Sequence, residues 1–188
     1  MLIEAQGLSE AVDGPRFQSW IESQFEAGLI GDAAVSQSMG DVAAFWAMRD
    51  ACSEFGSRLG PHVAFDVGLP VARMDDFAKA CKARLAERVP NAFSVYYGHI
   101  GDGNLHLVAL SRGASVQPMG LISATVYETV RDFDGTISAE HGIGLLKKSY
   151  LGHTRSPQEL ALMRRLKAAM DPQGILNPGK VFDMEDKA

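Results

Sequence analysis

Ser94-Val95-Tyr96-Tyr97-Gly98-His99-Ile100-Gly101-Asp102-Gly103-Asn104-Leu105-His106-Leu107-Val108-Ala109-Leu110 holds two β-rich runs on either side of Gly101-Asp102-Gly103. Asp-Gly between such runs is a strong two-residue hairpin signal. With Asp102-Gly103 as the turn, Gly101 faces Asn104, Ile100 faces Leu105 and His99 faces His106. The two histidines then become direct cross-strand neighbours, with Cβ atoms about 4.5–5.5 Å apart. Asn104 shares their face, while Leu105 and Leu107 take the other and belong to a core.

Working outward from this hairpin, Phe65 to Leu69 reads as extended, and Pro70 opens a helix to Arg88 with Met74, Phe77, Cys81 and Leu85 on one face. Leu121 to Phe133 is helical again. Ser156 with Glu159 makes a capping box, Pro157 takes the first helical position, and this helix runs to about Met170 before Asp171-Pro172. Nearer the start, Leu2 to Gly7 reads as a short strand, Pro15 to Gly28 as a helix, and Val42 to Leu59 as one further helix. Strands alternate irregularly with helices, which predicts an α+β domain on an antiparallel sheet.

The composition sets limits. The chain has 188 residues, enough for one ordinary domain or two very small ones, and buries roughly 70% of its unfolded surface at that size. Hydrophobic content of 46% and charged content of 22% are those of a globular protein, and no run approaches ~18 uninterrupted apolar residues. A net charge of -5, from 18 basic and 23 acidic residues, repels a polyphosphate backbone, so no nucleic acid partner is expected. Cys52 and Cys81 show neither metal nor redox spacing, and the N-terminus has no basic flank or long apolar stretch. A reduced, cytoplasmic setting without a signal segment or integral membrane segment is the expectation.

Four places carry chemistry. His99 and His106 can share one metal ion if the hairpin pairs them, and the plain alternative is two histidines on a solvent face. Glu140 would complete a three-ligand set with an open position, as in catalytic zinc and some non-haem iron sites, leaving His141 as a general base. Arg49 stands on the Trp46-Arg49-Ser53 side of its helix, either solvated or forking onto a carboxylate. Leu176-Asn177-Pro178-Gly179-Lys180 is either a plain tail turn or a functional one.

Taken together, Tyr97 to His106, Gly135 to Gly144 with Lys147, and Asp171-Pro172 through Asn177-Pro178-Gly179-Lys180 resemble the C-terminal domain of FAD-linked oxidases of the vanillyl-alcohol oxidase type. The nearest branch is the D-2-hydroxyacid dehydrogenases, with the D-lactate dehydrogenases and the flavin subunit of glycolate oxidase. Trp46 to Arg49 and Asp66 to Pro70 also stand in that branch's order, so the resemblance covers most of the chain. It implies a ferredoxin-like antiparallel sheet covered by helices over residues 1–188, acting as a substrate cap over the flavin of an N-terminal FAD-binding domain that this sequence does not supply. It further implies a divalent ion, usually zinc, on His99, His106 and Glu140, and His141 as base on the substrate hydroxyl. Asn104 would contact the substrate, Arg49 and Ser53 its carboxylate, and Asn177 to Lys180 would meet the FAD, Asn177 near its ring.

Three positions depart from the pattern. Ala64 stands where several members carry a basic residue that helps hold carboxylate, Ser53 where threonine is common, and Ala139 where glycine precedes Glu-His. The expected activity is oxidation of a small 2-hydroxy acid to a 2-oxo acid by metal-assisted hydride transfer to flavin. The chain alone is expected neither to retain FAD nor to turn over substrate, and a homodimer is one assembly open to it. The competing readings are a self-contained mononuclear His/His/Glu metal enzyme and a non-catalytic metal- or carboxylate-binding module.

Overall fold

Alternation along Val63-Ala64-Phe65-Asp66-Val67 sends Val63, Phe65 and Val67 to one side and Ala64 and Asp66 to the other, as β-strand geometry requires. This is β1, Val63–Gly68. In the computed structural model, which describes residues 1–184, β1 pairs antiparallel with β3, Asn104–Ser111, which pairs antiparallel with β2, Ala92–His99. The sheet order is β1-β3-β2.

Between β1 and β2 runs a helix, Met74–Arg88, and after β3 another, Met119–Asp132. Both cover the sheet face formed by Val63, Phe65, Val67, Leu105, Leu107 and Ala109. Met74, Phe77, Cys81 and Leu85 face inward at the predicted helical spacing, and Ile122, Val126, Tyr127 and Val130 meet them from the second helix. Phe65 packs edge to face on Tyr127, with centroids 5.3 Å apart, a preferred aromatic geometry.

The expected α+β fold on an antiparallel sheet is therefore observed. Beyond the outer edge of β1, Gly68 and Thr136 form an antiparallel bridge and exchange both backbone hydrogen bonds, at 3.0 and 2.8 Å. A ferredoxin-like sheet would carry its fourth strand at this edge, and here that strand is reduced to one residue pair. The bridge delivers the 138–147 segment to the end of β1.

The chain forms two compact units, Met1–Arg58 and the part from Leu59 onward. The first holds α1, Glu10–Glu26, and α2, Met39–Asp50. α3, Phe55–Leu59, follows a 3-10 turn at Ala51–Glu54. The second holds the sheet with α4, Met74–Arg88, α5, Met119–Asp132, and α6, Pro157–Met170. α6 begins with the predicted capping box of Ser156 and Glu159.

Two expectations fail in the first unit. Leu2 to Gly7 is no strand: Leu2 and Ile3 are exposed and find no ladder to join. The helix expected from Val42 to Leu59 is interrupted at Ala51–Glu54, where Ser53 Oγ donates to the Asp50 carbonyl at 2.8 Å. A serine hydroxyl that competes for a helix carbonyl weakens the i to i−4 ladder.

Candidate active site

The hairpin closes differently from the two-residue turn expected. Ile100–Asp102 forms a 3-10 turn and Gly103 is left-handed at φ 78, so four residues make the loop and His99 pairs with Asn104, Tyr97 with His106. Asp102 Oδ1 accepts from the Asn104 N–H at 3.0 Å, and the Gly103 carbonyl accepts from Leu69 N at 2.8 Å. These two bonds hold the wider loop. A slip of two residues preserves the face of every side chain. His99 and His106 therefore become diagonal neighbours on the same face, with ring centroids 5.7 Å apart and nearly perpendicular.

The glycines serve the backbone. At Gly98 (φ +146) a Cβ would come within 2.5 Å of the Asn104 carbonyl oxygen, and at Gly103 it would run into the Leu69 carbonyl oxygen. Gly101 faces open space.

The site lies on the sheet face away from α4 and α5, where Asp66, His106 and Tyr97 stand side by side across the three strands. Glu140 arrives from the loop after the Gly68–Thr136 bridge. Its Oε1 lies 4.0 Å from His99 Nε2 and its Oε2 3.9 Å from His106 Nε2. One ligand atom from each of the three residues falls within 4.8 Å of the others. Bonds of about 2.0–2.2 Å in a tetrahedral shell need ligand atoms about 3.4 Å apart. Holding one ion would draw the three side chains together, and two imidazoles with one carboxylate suit a divalent ion such as zinc. Burial holds the His106 pKa below the ordinary histidine value, and His99 and His141 add to this while Glu140 opposes it. A neutral imidazole is the form that ligates.

His141 stacks over His106 at 6.0 Å between centroids and is two-thirds exposed. Asn104 is buried, and its Oδ1 has no hydrogen-bond partner among the described residues. An unpaired buried acceptor costs about 1–3 kcal/mol, so this atom awaits a donor.

The residue the sequence reading passed over is Asp66. It is 1% exposed, and its Oδ2 accepts from the consecutive backbone N–H groups of Ala139, Glu140 and His141 at 3.1, 2.8 and 2.9 Å. Ser138 Oγ lies 3.2 Å from the same oxygen. Oδ1 takes the Lys147 ammonium and lies 3.3 Å from His141 Nδ1. Burial alone would raise the Asp66 pKa, but the His141 N–H, Lys147 and the Glu140 N–H overcome it and hold the carboxyl at about 2. Ala139, in place of glycine, leaves its N–H in this cluster. The legible signal was a lone acid inside an apolar strand.

The other candidates fall in both units, Arg49 and Ser53 in the first and the Asn177–Lys180 turn in the second. In the first unit Arg49 pairs with Asp50 at 3.0 Å and its guanidinium sits 5.7 Å from the Trp46 ring centroid. Ser53 lies beyond the end of α2, so the expected Trp46-Arg49-Ser53 helix face is interrupted. In the second unit the Asn177–Lys180 turn, with Asn177 at φ 46, is tied to the loop that carries Glu140 and His141. Val181 N donates to the Gly144 carbonyl at 2.8 Å, and Lys148 Nζ to the Gly179 carbonyl at 3.0 Å. Asp171 fixes the start of this tail by accepting from the Ile175 and Leu176 N–H groups at 3.0 and 2.9 Å.

The chain is 38% identical over 182 residues to the mitochondrial D-2-hydroxyglutarate dehydrogenase of Bos taurus, covering 97% of this chain and 33% of that protein. It is 40% identical over 170 residues to the D-2-hydroxyglutarate dehydrogenase of Xanthomonas citri pv. viticola, covering 88% of this chain and 36% of that one. The mitochondrial enzyme of Arabidopsis thaliana is 35% identical over 182 residues, 97% of this chain and 32% of that protein. The chain thus spans about a third of the length of these curated relatives. The sequence profile of the C-terminal domain of FAD linked oxidases matches residues 1–181, and with the α+β sheet and the clustered histidines in place, the chain belongs to that family.

Proposed function

We propose that this chain is the substrate-binding domain of an FAD-dependent D-2-hydroxyacid dehydrogenase, which oxidises a 2-hydroxy acid to its 2-oxo acid. The observation that carries the reading is the convergence of His99, His106 and Glu140 within 4.8 Å, beside His141 and the unpartnered Oδ1 of Asn104, in a domain of this family.

When bound, the flavin supplies the two-electron acceptor, and a divalent ion on His99, His106 and Glu140 supplies positive charge beside the substrate hydroxyl. His141 takes the hydroxyl proton at a ring nitrogen as the carbonyl forms. Asn104 Oδ1 accepts a hydrogen bond from the substrate and so fixes its orientation. Arg49 and Ser53 are assigned the substrate carboxylate on their chemistry, a guanidinium fork and a hydroxyl. Asn177 and Lys180, on the turn tied to the His141 loop, are assigned to the FAD.

The relatives' names make D-2-hydroxyglutarate the first substrate to try. Ala64 shares its sheet face with Asp66 and lies opposite Val108, so this position offers no cation to a second carboxylate, and D-lactate is the necessary comparison. The test is anaerobic mixing of the flavin-loaded full-length enzyme with each acid. At least one should bleach the flavin absorbance, and His141→Gln should slow bleaching about 10²–10⁴-fold. Flavin that stays oxidised with every D-2-hydroxy acid would overturn the reading.

A further inference from the structure

Asp66 sits 72–75 residues before the segment it binds, and no part of the proposed chemistry uses it. A buried carboxylate is costly unless fully satisfied. Here three consecutive backbone N–H groups converge on Oδ2 as they do in an anion-binding nest. The three residues supplying them are Ala139, Glu140 and His141, two of which carry the site. Lys147, buried and bound to Oδ1, balances the charge and also reaches Ser138 Oγ at 3.0 Å. The remaining neighbour of Oδ1 is His141 Nδ1, at 3.3 Å.

From this geometry we propose that Asp66 is a positioning residue, which clamps the Glu140-His141 turn to β1 through Oδ2 and through Oδ1 selects the Nδ1–H tautomer of His141. That tautomer leaves Nε2 without a proton and makes it the atom able to accept one. The backbone clamp also decides where the Glu140 carboxylate meets His99 and His106. Asp66 is not among the candidate ion ligands, and acts by fixing both Glu140 and His141. The inference rests on the proposed dehydrogenase reading for the meaning of the tautomer, but not for its existence.

The experiment is nitrogen-15 NMR of the histidine rings in the metal-stripped 188-residue chain, at about two pH units above the ordinary histidine pKa. A His141→Gln chain assigns the signal. Wild type should show His141 with Nδ1 protonated and Nε2 bare. Asp66→Asn leaves Lys147 buried without its counter-charge, so the double variant Asp66→Asn/Lys147→Met is measured beside it as a neutral pair. In whichever of these variants is folded, His141 should lose the Nδ1–H preference, and zinc affinity should fall about 10–100-fold as outer-shell partners are removed. An unchanged His141 tautomer in the folded double variant overturns the proposal, whatever happens to zinc. Failure of the wild-type chain to bind zinc would count against the metal reading instead, and leaves the tautomer measurement decisive for this one.

Discussion

Asp66 binds its protons differently in the folded and unfolded chain. Its carboxyl is held at about 2, below its ordinary value of 3.8, so the unfolded chain binds the proton more tightly and the folded state gains from the ionised form. The contribution is fully present above about pH 4 and is lost as pH falls toward 2, amounting to about 2 kcal/mol for a shift of this size. Urea unfolding of wild type at pH 6 and pH 3 should show about half of that loss, about 1 kcal/mol, and Asp66→Asn/Lys147→Met should flatten this part of the profile. Breaking the pair from one side is worse: Lys147→Met alone should cost about 3–5 kcal/mol, since it strands a buried charge. At this scale the histidine pair was legible because strand parity puts His99 and His106, with Asn104, on one face in any even register. Asp66 was not, because its partners come from a loop that only the Gly68–Thr136 bridge brings to it.

The hairpin turns on Gly103. Its φ of 78 and the Leu69 carbonyl beside it leave no room for a side chain, whereas Gly101 in the same loop has open space and an ordinary backbone. Gly103→Ala should therefore destabilise the protein by about 1–3 kcal/mol and loosen His99 against His106, while Gly101→Ala should stay within about 0.5 kcal/mol. Thermal unfolding of the two variants side by side checks this. A two-residue turn has no role for Leu69, so equal effects at the two glycines would speak against the observed register. Periodicity found α4, α5 and α6, whose apolar spacing is local, as is the capping box that opens α6. It failed where a distant segment decides: Leu69 widened the β2–β3 loop, and the apolar Leu2-Ile3 pair found no strand to join.

For the molecule as a whole, the chain matches about a third of its curated relatives' length, and the contacts with FAD assigned to it are those of one exposed turn, Asn177 and Lys180. Two residues on a turn cannot order a dinucleotide, so the 188-residue chain mixed with FAD should leave gel filtration without stoichiometric flavin absorbance. The ligand trio, by contrast, lies wholly within the unit from Leu59 onward, on a sheet backed by a closed core. Its metal affinity should therefore belong to this chain, and that is the central claim. The most direct test is a calorimetric titration of zinc into the metal-stripped chain, wild type beside His106→Ala. One site per chain, abolished by the substitution, is the predicted result. A wild-type chain that takes up no zinc, or a His106→Ala chain that binds it as well as wild type, would contradict the account.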